Sequence, residues 1–159
     1  MPLLSDYQGK FVVLEWSNAE CPFVKKHYSG NMQSLQKEET GKGVAWLTVI
    51  SSAPGKQGNV DGKAANALTK ERGASPTAVL LDPTGKIGHE YEAKTTPHMF
   101  VIDPKGKLVY MGGIDSIASA DVEDIPQAKP YVKTALAEAM AGKPVTDAVT
   151  KPYGCNIKY

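Results

Sequence analysis

The chain has 159 residues, 42% hydrophobic and 22% charged, with a formal net charge of +1. That length can bury a core without metal or disulfide staples, and the near-average composition excludes collagen-like, coiled-coil and disordered chains. The balance of 18 basic and 17 acidic residues, with Arg72 the only arginine, argues against a nucleic-acid or anionic-membrane surface and against arginine clamps for phosphate.

The opening MPLLSDYQGK lacks the cationic start and apolar run of a signal peptide. No apolar stretch reaches the ~20 residues that a membrane helix needs. The expected location is the cytoplasm, or an exported compartment if a leader has been removed. Residues 11–16 (FVVLEW) form a continuous β-rich run after Gly9 and predict a buried strand of a parallel sheet. Proline favours the first helical position, so Pro22 dates the next helix and places Cys21 at its N-terminus. Ser29-Gly30-Asn31 is expected to kink or interrupt that helix before residues 32–39 resume it. Residues 44–50 predict a second buried strand, followed by a glycine-rich loop over 51–59. Asp61 reads as the N-cap of a helix reaching about Arg72, with Gly73 as its stop. A third strand is expected over 77–81, a turn over 82–86, and one or two helical turns within 87–93. Strands at 99–102 and 108–111 flank the turn Asp103-Pro104-Lys105-Gly106-Lys107 as an antiparallel hairpin. The last helix is predicted over 129–141 with Ala135, Leu136, Ala139 and Met140 inward. A prolyl tail from about 143 ends in Pro152-Tyr153-Gly154-Cys155 and a few further residues. This order gives an α/β chain with parallel early strands and an antiparallel closing hairpin. No linker divides it, so residues 1–159 read as a single domain.

Two cysteines are too few for a disulfide scaffold. Neither they nor His27, His89 and His98 show ligand-pair spacing, so no metal and no cofactor are expected. What remains is thiol chemistry. At a helix N-terminus, amide N–H groups and the helix dipole stabilise a thiolate and lower a cysteine pKa from ~8.5. Cys21 has that position; the alternative is an inert buried thiol. Asn18, three residues earlier, offers an amide to a thiolate or a peroxide. Glu15 interrupts an apolar run and reads either as a buried general acid or base or as a strand-end glutamate reaching solvent. His98 either approaches the thiol or is pointed away by strand alternation. His27 lies about 240° around the helix from Cys21 and is not expected to partner it. Lys25 and Lys26 read as a solvated helix edge. Cys155 lies in a tail with no evident reason to pack. It reads either as a resolving thiol that a flexible tail carries to a distant site or as a cysteine with no redox partner.

Three stretches carry a family resemblance: Leu4-Ser5-Asp6-Tyr7-Gln8-Gly9-Lys10-Phe11-Val12-Val13-Leu14-Glu15-Trp16, Cys21-Pro22-Phe23-Val24, and Thr96-Pro97-His98-Met99-Phe100-Val101-Ile102-Asp103. In that order they resemble the thioredoxin-like superfamily, and within it the redoxins that include the alkyl hydroperoxide reductase/thiol-specific antioxidant proteins. The resemblance implies a thioredoxin-like fold, with Pro97 as the cis-proline facing the active thiol. Thr96 would pair its backbone with an extended substrate. Thr96, Pro97, Pro22 and His98 are then the expected substrate-binding residues, and Cys21, Cys155, Glu15 and Asn18 the expected catalytic ones. It further implies a protein or small-molecule disulfide, or a peroxide, as substrate and an external thiol as reductant. Two departures stand out. Val24 occupies the place of the second cysteine of a C-x-x-C motif. Asn18 replaces the threonine of the peroxidatic T-x-x-C, and no strand arginine supports the thiol. The implied activity is thiol oxidoreduction, with peroxidase chemistry or a non-enzymatic binding module as alternatives. The N-terminal β-hairpin usual in such relatives is absent, which predicts a chain shortened at that end.

Overall fold

The computed structural model describes residues 4–159; residues 1–3 of the opening segment lie outside it. In chain order it comprises a 3-10 turn (Leu4–Tyr7), β1 (Val12–Trp16), α1 (Pro22–His27), α2 (Asn31–Gly41), β2 (Ala45–Ile50), α3 (Gly62–Glu71), β3 (Ala78–Leu81), α4 (Lys86–Glu90), β4 (Thr95–Thr96), β5 (His98–Ile102), β6 (Leu108–Gly112), a second 3-10 turn (Val122–Gln127), α5 (Tyr131–Met140) and β7 (Cys155–Asn156).

The main sheet has the order β3-β2-β1-β5-β6. β1 is parallel to β2 and β2 to β3, whereas β1–β5 and β5–β6 are antiparallel. β1, β2 and β5 are buried along their whole length, as their unbroken apolar runs require of strands covered on both faces. Alternation sends Val13, Trp46, Met99 and Val101 to one face, against Met32 and Leu35 of α2 and Val132, Ala135 and Leu136 of α5. Val12, Leu14, Trp16, Leu47 and Phe100 face the other way, toward Leu80 and, from the far end of the chain, Ile157.

Local chemistry sets the boundaries. Asp61 caps α3 by accepting from the Ala64 N–H at 2.8 Å. Gly30, at φ 138°, separates α1 from α2, the predicted interruption. α5 begins after Pro130 rather than at Lys129. Its inward stripe is Val132, Ala135 and Leu136; Met140, expected inward, is 40% exposed. Lys26 is a second correction. It is 2% exposed rather than solvated, because its Nζ donates to Ile117 O and Ser119 Oγ and contacts the Tyr153 hydroxyl.

The tail is the largest departure from expectation. Residues 148–150 lie along β6, with Met111 N–H donating to Ala148 O and Thr150 N–H to Met111 O. Residues 155–156 then form β7 against β4, and Ile157 enters the core. From Thr150 onward the segment is docked on the body of the fold rather than loose, whereas residues 146–149 stay exposed.

Candidate active site

The carboxyl end of β1 delivers the chain to the N-terminus of α1. Ser17 N–H stays bonded to Val49 O, and Asn18 folds back so that its side-chain oxygen accepts from Glu20 N–H and its carbonyl from Cys21 N–H. Cys21 is thereby fixed at the N-cap of α1, extended at φ −76° and ψ 126°, with Pro22 as the first helical residue. Its residue exposure is 0%.

Two segments close over it. The Cys21 thiol donates to Thr96 O at 3.2 Å, and the Thr96–Pro97 peptide is cis. β7 pairs antiparallel with β4, placing Cys155 opposite Thr96 and Asn156 opposite Thr95. Ile157 N–H extends the ladder to Lys94 O at 3.1 Å. Gly154 allows this approach: at φ 147° it holds a conformation L-residues avoid, and any Cβ there would meet the Thr96 carbonyl.

The resulting neighbourhood separates the two thiols. Burial works against the Cys21 thiolate, but the Cys155 thiol, the Thr96 hydroxyl and the Val24 and Cys155 amides outweigh it and hold the pKa below the ordinary 9.0. Cys155 is partly exposed, and its pKa is pushed up to about 11 by desolvation, by the hydrogen bond it gives Cys21 and by the charge on that sulfur.

The segment carrying Cys155 is anchored on both sides. On the α1 side, the Tyr153 hydroxyl donates to Asp115 Oδ1 at 2.6 Å and meets His27 Nε2 at 2.9 Å and Lys26 Nζ at 3.2 Å; its ring packs edge-on against Phe23. On the α4 side, Tyr159 stacks on His89 with ring centroids 4.0 Å apart, and its hydroxyl donates to Ala93 O. Gly88 makes room for that ring, since a Cβ there would strike the Tyr159 hydroxyl. Lys56 Nζ donates to Tyr159 O at 2.6 Å, and Ala53 N–H to Lys158 O at 2.7 Å.

The other residues singled out from the sequence divide clearly. Pro22 lies exposed beside the site. Glu15 is fully buried and collects four donors: Tyr28 Oη at 2.7 Å, Trp46 Nε1 at 2.8 Å, Gln36 Nε2 at 3.1 Å and Thr48 Oγ1 at 3.3 Å. Desolvation raises its pKa despite these bonds. The Asn18 amide donates to Gln57 Oε1 at 3.1 Å, and its oxygen is taken by Glu20. Alternation along β5 turns His98 toward Phe100, with ring centroids 4.5 Å apart, while its Nδ1 accepts from Lys94 N–H. Arg72 lies over the Tyr28 ring at 3.8 Å, beneath Glu15 rather than beside the thiol. Sequence reasoning missed Tyr153 and Asp115 and dismissed Lys26 and His27. The adjacent Lys26-His27 pair on the cysteine-bearing helix was the only local sign, and its partners lie far along the chain.

Among the described residues, no cluster of His, Cys, Asp or Glu could hold a metal ion, and no helix is long and apolar enough to cross a membrane. A family model described as the AhpC/TSA family matches residues 3–111. An uncharacterized conserved protein from Geobacillus kaustophilus superposes with a TM-score of 0.82 at 24% identity, over 98% of this chain and 81% of that one. The exposed lipoprotein thioredoxin Etrx1 of Streptococcus pneumoniae gives 0.53 at 28% identity, over 78% and 86%. A candidate thiol:disulfide interchange protein, DsbE, of Chlorobium tepidum gives 0.54 at 27%, over 78% and 80%. No curated protein sequence matches. The fold is thioredoxin-like, and two of these neighbours, Etrx1 and DsbE, carry names of the thiol-redox class.

Proposed function

The chain belongs to the AhpC/TSA family, and on that footing we propose that it is a thiol–disulfide oxidoreductase whose reacting pair is Cys21 and Cys155. The observation that carries this reading is the β4–β7 ladder, which sets Cys155 opposite Thr96 while the Cys21 thiol bonds to the carbonyl of that same Thr96. The pair supplies from two distant segments what C-x-x-C supplies from one helix.

The cycle starts when the Cys21 thiolate attacks one sulfur of a substrate disulfide. The first substrate half leaves as a thiolate, and Cys21 is held in a mixed disulfide. Both the charge on Cys21 and the hydrogen bond to it had pushed the Cys155 pKa upward, and both vanish at that point. Cys155 then loses its proton more readily, attacks Cys21 Sγ and expels the second half. The substrate gains two electrons and the protein holds a Cys21–Cys155 disulfide, which an external thiol reduces. Thr96 and Pro97 form the wall against which the pair exchanges, and Pro22 the exposed lip. Glu15 and Asn18 support the site: Glu15 by gathering Tyr28, Trp46 and Gln36 beneath it, Asn18 by fixing the turn into Cys21. His98 steadies the approach to β5.

Disulfide exchange stands ahead of peroxide reduction because the amide that would polarise a peroxide is bonded to Gln57 and the only arginine stacks on Tyr28. Intact mass spectrometry after a stoichiometric disulfide oxidant tests the reading. The expected loss is two hydrogens per chain without dimerisation, absent in both Cys21→Ser and Cys155→Ser. A full-length protein that retains both free thiols under these conditions refutes the pair.

A further inference from the structure

Once the disulfide forms, the two sulfurs no longer meet solvent on equal terms. Cys21 lies at 0% exposure beneath the β4–β7 ladder, with Gly154 against Thr96 on one side and the Phe23–Tyr153 ring pair on the other. In the reduced protein that cover is held only by non-covalent contacts and can step aside for a substrate. In the oxidised protein the disulfide itself pins the cover in place. Cys155, in contrast, is carried on the outer strand, between a partly exposed Gly154 and an exposed Asn156, and is itself partly exposed.

We propose that the reducing co-substrate enters through Cys155: an external thiolate attacks Cys155 Sγ from the solvent side and expels Cys21 as the leaving thiolate. The inference rests on the Cys21–Cys155 pair proposed above and assigns its two sulfurs different partners, Cys21 for the oxidising substrate and Cys155 for the donor. The electrons balance over two steps. The first thiolate breaks the internal disulfide and forms a mixed disulfide on Cys155. A second thiol, from another monothiol or the same dithiol donor, attacks the donor-side sulfur, leaves as the donor disulfide, and releases Cys155, which takes up a proton.

Two features favour this direction. A leaving thiolate departs faster the better it is stabilised, and the Thr96 hydroxyl and the Val24 and Cys155 amides, which lower the Cys21 pKa without needing the Cys155 proton, stay in place to receive its charge. Lys158, close enough in space to lower the Cys155 pKa, provides positive charge for an approaching anion.

The test uses the full-length protein, first oxidised to the internal disulfide. It is pulsed with 2-mercaptoethanesulfonate, a small aliphatic thiol with a fixed negative charge, quenched in acid and mapped by peptide mass. The adduct is expected on Cys155, at least tenfold over Cys21; an adduct on Cys21, or an even split, overturns the proposal. A rate measurement decides the case even where no adduct accumulates. Lys158→Glu is expected to slow reduction by this anion at least threefold at low salt, and to slow reduction by 2-mercaptoethanol, whose attacking thiolate lacks the second negative charge, by a smaller factor. Equal rates for the unaltered protein and Lys158→Glu with the anion overturn it. Failure to form the internal disulfide at all refutes the pair, whereas a normal disulfide reduced through Cys21 refutes only the assignment of the donor.

Discussion

The Tyr153 hydroxyl donates to Asp115 Oδ1 at 2.6 Å, two residues before the cysteine that closes over Cys21. That bond ties the β7 segment to a buried group of charged and polar side chains on α1 and its neighbours: Lys26, His27 and Asp115 all converge on one phenolic oxygen. Tyr153→Phe keeps the ring and removes the oxygen, leaving those three groups short of a partner. The expected loss is about 1–3 kcal/mol of unfolding free energy, together with slower closure of the internal disulfide. Urea unfolding and the rate of oxidation measure the two effects. Unchanged values for both would mean that the phenol merely fills space.

Gly154→Ala tests the ladder itself. The added methyl group would meet the Thr96 carbonyl and would sit at a φ of 147°. The β7 strand is expected to lift from β4, and internal disulfide formation by diamide to slow at least tenfold, with the far-UV circular dichroism retained. Normal closure in this variant would remove the ladder from the explanation of the pair.

Thiol titration gives a signed prediction. The folded Cys21 pKa lies below 9.0, so its alkylation by iodoacetamide should already be appreciable below that pH and fall only as pH drops through the lowered value. The Cys155 thiol is the largest hydrogen-bonding contribution to that lowering. Cys155→Ala should therefore move the Cys21 profile to higher pH. A profile that stays in place would show that the helix N-terminus alone sets the acidity.

Acid stability follows from two histidines. Desolvation lowers the pKa of His27 and of His98 from 6.5 to about 4, with Asp115 opposing the shift at His27. The unfolded chain thus binds more protons than the folded one in this window, and stability is lost as pH falls from 6.5 toward 4. Each histidine should cost about 2–3 kcal/mol by pH 4.5. Glu15 acts with the opposite sign: its raised pKa adds stability as its carboxylate becomes protonated. Urea melts across this range, with histidine ring titration by NMR, check the balance. Rings that titrate near 6.5 would contradict the desolvation.

Much of the frame was readable because its determinants are local. The runs at 11–16 and 44–50 state their own burial, Asp61 and Gly30 mark helix boundaries, and Pro22 fixes the helix that presents Cys21. Met140 misled because the apolar spacing at the end of α5 continues past the helical turn that packs; Val132 begins the true stripe. Lys26 was unreadable for a different reason. A lysine is tolerated inside only when carbonyl and hydroxyl oxygens come to it, and these arrive from Ile117, Ser119 and Tyr153. β4 and β7 have two residues each, too few to display any period. Its place in a tail with no evident reason to pack suggested Cys155 as a resolving thiol, but only the Gly154 contact and the two tyrosine anchors show why a strand forms there.

The stacking of Tyr159 on His89 reaches further than its distance from the sulfurs suggests. An intramolecular disulfide closes in proportion to the local concentration at which the fold presents one thiol to the other. Every contact that holds the 153–159 segment down therefore weights the equilibrium between dithiol and disulfide. Gly88 touches neither cysteine, yet a side chain there would unseat the Tyr159 ring. The oxidation state of the pair is thus governed in part from the socket beside α4, by packing rather than by sulfur chemistry.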